Sequence, residues 1–211
     1  MKNLFLSICL LMTGLSSFAG SDQYMNAMKG IMMKMSGATS PEAYQVAGNA
    51  FERVANSETK EWQPRYYAAF CYVMQAMMTE DKSKVDGIAD QADKLLNDAA
   101  AINDNDEIIV LKSMCMSARI GVDPMSRGMK FGMEASKLLT QAKEKNPANP
   151  RIYLLMGQNK FYTPEAFGGG KKAAAEYFTL AVEKFAAFKP ADELAPTWGL
   201  ESAQKMLEQC K

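Results

Sequence analysis

A chain of 211 residues with 24 basic and 24 acidic side chains has no formal net charge. That disfavours nucleic acid as a partner, because phosphate binding draws on an excess of lysine and arginine. It has no histidine at all, which removes the commonest general base, the Ser-His and Cys-His nucleophile pairs, and the commonest transition-metal ligand. On that ground the chain is expected not to be an enzyme, and no catalytic residue, metal ligand or cofactor is assigned to it.

The first residues read as a targeting segment. Lys2 is followed by an apolar run from Leu4 to Leu15, and Ser17-Phe18-Ala19 puts small residues where a signal peptidase inspects the chain. Residues 1–19 are therefore expected to be a signal peptide and 20–211 a single mature domain, exported to the periplasm or secreted. The apolar run falls short of the roughly 20 residues that span a bilayer, so no stable membrane insertion is expected after cleavage. Cys9 sits in the middle of the run behind Ile8, which is not the setting of a lipid-anchored cysteine.

Beyond the leader, apolar residues recur at spacings of three and four, as Ala43, Val46, Ala47, Ala50, Phe51 and Val54 do, and no stretch alternates as a strand would. The pattern predicts helices near 22–36, 41–56, 62–79, 83–101, 106–121, 125–145, 149–162, 170–187 and 196–209. Ser40-Pro41-Glu42, Asp123-Pro124, Asn149-Pro150 and Thr163-Pro164 supply start signals, a capping oxygen followed by a proline at the first helical position.

The helices fall into a repeat of about 44 residues. Tyr66, Val110, Leu154 and Trp198 form a column of large apolar residues, and Ala69, Ser113 and Gly157 a column of small ones that Glu201 breaks. Ala92-Asp93-Lys94-Leu95-Leu96 matches Ala135-Ser136-Lys137-Leu138-Leu139 at an offset of 43. Large and small residues at fixed places are what close helix packing needs. A helix pair cannot bury its apolar face alone, so successive pairs must stack. The expected fold class is all-α, a right-handed α-α superhelix of helix pairs.

The segment Asn146-Pro147-Ala148-Asn149-Pro150-Arg151-Ile152-Tyr153, with Ala135 and Ala142 before it, resembles the turn between two tetratricopeptide repeats. Thr163-Pro164-Glu165-Ala166-Phe167-Gly168-Gly169-Gly170-Lys171-Lys172-Ala173 resembles a loop of exported tetratricopeptide-like proteins of the Bacteroidetes. A similar loop is found in periplasmic helical-repeat components of TRAP-type transporters. The resemblance covers roughly residues 40–211 and departs from the family in its period, which is about ten residues longer. It implies an interaction scaffold that binds a protein or peptide along its concave face. The alternative is a small-ligand-binding or transporter-associated periplasmic component.

Two aromatic groups are candidate binding residues. Trp62, Arg65, Tyr66 and Tyr67, with Tyr72, would line the concave face, and Phe161, Tyr162, Phe167 and Trp198 would gather around the glycine loop. Core packing explains the same residues equally well. Gly168-Gly169-Gly170-Lys171-Lys172 is no phosphate loop, since lysine stands where serine or threonine is needed and a helix precedes it. The 17 methionines include a cluster from Met25 to Met35 and a stripe of Met125, Met129 and Met133. These could offer thioethers to Cu(I), fill irregular gaps between helices, or show a partner an adaptable surface; gap-filling is the simplest of the three. Cys71 and Cys115 stand one period apart, on helices about 10 Å from each other. That is beyond disulfide reach, so both are expected to be buried and reduced, while Cys210 is free to bridge two chains.

Overall fold

The computed structural model describes residues 15–211. The leader expected over residues 1–19 lies outside these but for its last five, and Cys9 lies outside with it. The described residues form α1 (Leu15–Ser36), α2 (Pro41–Ser57), α3 (Gln63–Met78), α4 (Lys82–Ile102), α5 (Asp106–Ile120), α6 (Pro124–Lys145), α7 (Pro150–Tyr162), a 3-10 turn (Glu165–Phe167), α8 (Lys171–Ala187) and α9 (Leu200–Gln209), and no strand. From α2 to α8 every expected boundary falls within one residue of the observed one.

The start signals act as their chemistry requires. Side-chain oxygens of Ser40, Asp123 and Asn149 accept hydrogen bonds from the backbone N–H groups of Ala43, Ser126 and Arg151, satisfying donors that a helix start leaves free. Thr163-Pro164 behaves differently and opens only the 3-10 turn. Gly168 (φ 76°) and Gly170 (φ 93°) then adopt left-handed backbone angles, which side chains larger than hydrogen resist, and α8 starts after them. The glycines therefore shape a tight corner.

Each helix from α1 to α9 packs on the next, and α3, α5, α7 and α9 also touch one another in series. α3, α5, α7 and α9 thus form an inner layer and α2, α4, α6 and α8 an outer one, an α-α superhelix of stacked pairs. Burial follows the layers. In α3 all but four of the sixteen residues are buried, whereas α4 buries a single stripe of Val85, Ala89, Ala92, Leu95, Leu96 and Ala99. The small column marks where pairs close. Ser113 donates its hydroxyl to the Ala135 carbonyl at 3.0 Å, and a Cβ on Gly157 would come within 2.5 Å of the Phe178 ring. One continuous apolar core runs from Met28 to Met206.

The last repeat departs from the expected register. α3, α5 and α7 begin at 63, 106 and 150, but α9 begins at 200 rather than near 196. Lys189-Pro190 and Ala195-Pro196 bias the backbone away from helix, and Gly199 turns the chain at φ 116°. Trp198 therefore belongs to the irregular connection 188–199, and its place in the helical column with Tyr66, Val110 and Leu154 is corrected.

Candidate functional site

Short turns between consecutive helices make them antiparallel, so the array has two distinct ends. At the end where α3, α5 and α7 begin, the connection 188–199 lies across the inner helices. Tyr67 donates its hydroxyl to the Leu194 carbonyl at 2.8 Å, and Trp198 donates its indole N–H to the Tyr66 hydroxyl at 2.9 Å. The Trp198 ring also lies 5.4 Å from Phe70, and Lys29 pairs with Glu193.

This arrangement revises the first aromatic group. Tyr66 and Tyr67 are buried, 0% and 2% exposed, and Tyr72 is buried as well, so none of the three lines an open face. Burial pushes all three phenols well above their usual range. Trp62 is half-buried with its ring edge-on to Tyr66. Arg65 donates to the carbonyls of Glu58 and Glu61 and closes the α2–α3 turn. Trp198 joins these residues rather than the glycine loop, so the two expected groups are divided differently from the sequence reading.

Under the connection lies a buried ion pair. Arg151, wholly buried, donates Nε and Nη2 to the Glu107 carboxylate at 2.8 and 2.6 Å. It also donates to the Trp198 carbonyl and faces the rings of Phe188, Trp198 and Phe185. Asn149 donates to Glu107 and Asp106. Burial pushes the Glu107 carboxyl up, against the pull of Arg151 and Asn149. Gln63, Glu107 and Arg151 stand one repeat apart, and all three are buried or nearly so. The sequence reading passed over this polar column because it followed only the apolar ones.

The opposite end, where α3, α5 and α7 finish, is open and apolar. Seven large apolar side chains among the described residues are more than two-thirds exposed, and five of them lie here: Met125 (97%), Met129, Met133, Tyr162 and Phe167. The first three stand at successive fourth residues of α6, one stripe on one face. Met133 precedes Lys145 by twelve residues and Tyr162 follows Pro150 by twelve. Both therefore lie about 18 Å from the α6–α7 turn, and α6 carries Met129 and Met125 a further turn or two past the end of α7. No residue of α6 before Ala135 is buried. Gly128 and Gly132, half-buried on that segment, have nothing within 4 Å of where a Cβ would stand.

The stripe corrects the gap-filling reading for these three methionines, which fill nothing. Met28 is core, and Met25, Met32 and Met35 pack against the core from α1, so gap-filling holds there. Phe161 is half-buried, edge-on to Tyr162 at 5.2 Å. Lys130 lies over Phe131, and Lys160 donates to the Gly168 carbonyl.

Other polar clusters are internally satisfied. Arg119 donates to Asp90 and Asp93 on α4, and Arg127 makes two hydrogen bonds to Asp86. Arg127 holds the Asp86 carboxyl below its usual range. Cys71 and Cys115 are free and wholly buried, and burial pushes the Cys71 thiol up to about 12. A groove of about 840 Å³ lies between the start of α2, the end of α3 and the first half of α4. Among the described residues no group of three or more aspartate, glutamate or cysteine side chains is placed to hold a metal ion. Nor is any of their helices long and apolar enough to cross a membrane.

The architecture is an all-helical α-α superhelix with two unlike ends. No family model matches the sequence, and no curated protein matches it. Among solved structures, the chain is similar to the HusA haemophore from Porphyromonas gingivalis, with a TM-score of 0.82 and 34% identity over 89% of this chain and 92% of that one. The chain belongs to the family of that haemophore.

Proposed function

We propose that the mature chain is an exported haem carrier, not an enzyme, and that it holds the porphyrin against the open end formed by Met125, Met129, Met133, Tyr162 and Phe167. The observation that carries this reading is the gathering of exposed apolar side chains at one end of a chain 34% identical to a haemophore. A patch of this kind on a soluble protein marks a binding surface. A porphyrin is flat and apolar with two carboxylates at its edge. Thioethers and aromatic rings suit its face, since methionine adapts to irregular shapes and rings stack on it. Lys130, Lys160 and Lys171 stand near the same end to meet the carboxylates. The helix pairs would stack in the tetratricopeptide manner, serving as a rigid frame for that surface.

Titration of ferric haem into the purified mature chain, followed by its absorption band, tests the reading. Met129→Glu combined with Phe167→Ser alters only exposed positions, so folding should be kept while affinity falls by about tenfold or more. Binding that the double variant leaves unchanged would move the site elsewhere. A wild-type chain that fails to bind haem would end the reading.

A second reading, a protein or peptide partner, is supported by the groove at the start of α2. Its lining includes Pro41, Glu42, Gln75, Met78, Lys84 and Gln91. The side-chain carbonyl of Gln75 is buried with no hydrogen-bond partner, an acceptor suited to a peptide N–H. A partner that co-purifies with the wild-type chain, and is lost on Gln75→Ala and on Lys84→Glu, would support it. One retained by both variants would remove it.

A further inference from the structure

Resting on the haem reading, we infer that Met125, Met129 and Met133 form a peroxide-sensitive site, whose oxidation to sulfoxide makes the open end polar and weakens its hold on the porphyrin. A hydroperoxide attacks a sulfur that solvent reaches, so exposure ranks the sulfurs of the chain. These three methionines are 97%, 78% and 69% exposed, and among the described residues only Met33 on α1 is another above two-thirds. Met77 and Met78 are little more than a third exposed, and Met28, Met114, Met116 and Met206 are buried. The cysteines compete poorly, because a thiol reacts as its thiolate. Cys71 and Cys115 are wholly buried, and Cys210 is half-buried with its thiol pushed up by burial.

Exposure alone marks a point of damage, and it is placement that makes these three a switch. They stand at successive fourth residues of α6, so their sulfoxides alter a single face. None of the three belongs to the apolar core or packs against it, so oxidation changes the surface and leaves the fold. Oxidation of Met28 or Met206 would instead put a polar oxygen inside the core, at a cost in stability. A sulfoxide is polar where the thioether was apolar, and enzymatic reduction restores the thioether. The face that suits a flat apolar ligand is thereby lost and regained with the fold kept throughout.

In each step with hydrogen peroxide a methionine sulfur lone pair attacks one peroxide oxygen. The S–O bond forms, the O–O bond breaks, and the departing hydroxide takes up the proton of the transferred hydroxyl and leaves as water. Sulfur loses two electrons and the peroxide gains them.

The test treats a chain of residues 20–211 with graded hydrogen peroxide, removes the excess with catalase, and then titrates in ferric haem while peptide mass mapping places each added oxygen. Met125, Met129 and Met133, with Met33, should be oxidised before Met28, Met114, Met116 and Met206. The melting temperature should hold while haem affinity falls by about tenfold or more. Methionine sulfoxide reductases acting on both sulfoxide epimers should restore that affinity. Met33→Leu should remain sensitive to peroxide. Met125→Leu, Met129→Leu and Met133→Leu combined should lose none of its starting affinity on treatment, whatever that affinity is. If the three react no faster than the buried methionines, or are oxidised while affinity holds, the inference is overturned and the haem reading stands. The same follows if the combined variant is as sensitive as wild type. If untreated wild type binds no haem, both fall together.

Discussion

Replacing Arg151 by methionine tests the account of the sealed end most directly. Arg151 has no exposed side-chain surface, and Glu107 keeps only 13% of its own. The substitution leaves the Glu107 carboxylate inside with Asn149 as its remaining hydrogen-bond donor. Breaking a buried pair in this way costs about 3–5 kcal/mol, most of it the uncompensated charge. For a domain of this size each kcal/mol moves Tm by roughly 2–4 °C, so a fall of about 6–20 °C is expected. The size of the loss depends on pH, and its sign follows from linkage. Burial already makes the folded Glu107 hold its proton more tightly than an unfolded glutamate does, and losing Arg151 strengthens that. The folded state then binds more protons than the unfolded one, so its stability rises as pH falls through the folded pKa toward the ordinary carboxylate range. Thermal melts of wild type and variant across that range should show the deficit shrinking as the solution becomes more acidic. Replacing both partners, Glu107→Met with Arg151→Met, should recover most of the loss, because an apolar pair of similar volume is often as stable as the ions. A single-variant loss below about 2 °C, or a deficit that does not change with pH, would refute this account of the pair.

Three further outcomes are expected. Gly157→Ala drives a methyl into the Phe178 ring and should lower stability by about 1–3 kcal/mol, read as a lower urea midpoint with unchanged m; an unchanged midpoint would mean that α7 and α8 part without cost. A folded chain of residues 20–211 should show one thiol reactive to an aromatic disulfide reagent, Cys210, and three after denaturation, since Cys71 and Cys115 have no exposed surface. Asp81, Asp86 and Asp123 have carboxyls held below their usual range by hydrogen bonds from Ser83, Arg127 and Ser126 respectively. Their contribution is present above the ordinary carboxylate pKa and lost as pH falls through the lowered values, so Asp86→Asn should flatten the acid limb of the stability curve.

Almost all of the secondary structure could be read from the residues alone, because caps, prolines and a spacing of three to four are local signals. The pairing of helices followed from the period, since small residues at Ser113 and Gly157 recur where a neighbour must come close. The seven central helices needed no tertiary information to be placed. The haemophore family could not be read in the same way. Family membership here rests on a three-dimensional match and its aligned identities, and no short motif in the chain announces it.

What the sequence by itself determined, then, is an all-helical chain of stacked pairs, with free cysteines at Cys71 and Cys115 and no histidine for chemistry. Only the tertiary structure decided which aromatics face water. Tyr66 and Tyr162 have the same side chain and each adjoins another aromatic in sequence, Tyr67 and Phe161, yet Tyr66 is sealed by Trp198 from 132 residues away and Tyr162 is left exposed. The difference arises where residues 188–199 leave the helical register and fold back over one end of the inner helices. A periodic sequence pattern fixes which face of a helix turns inward, but it is blind to an irregular segment that returns across the array. The other end has no such cover among the described residues, and there the methionines of α6 and the ring of Tyr162 remain in solvent.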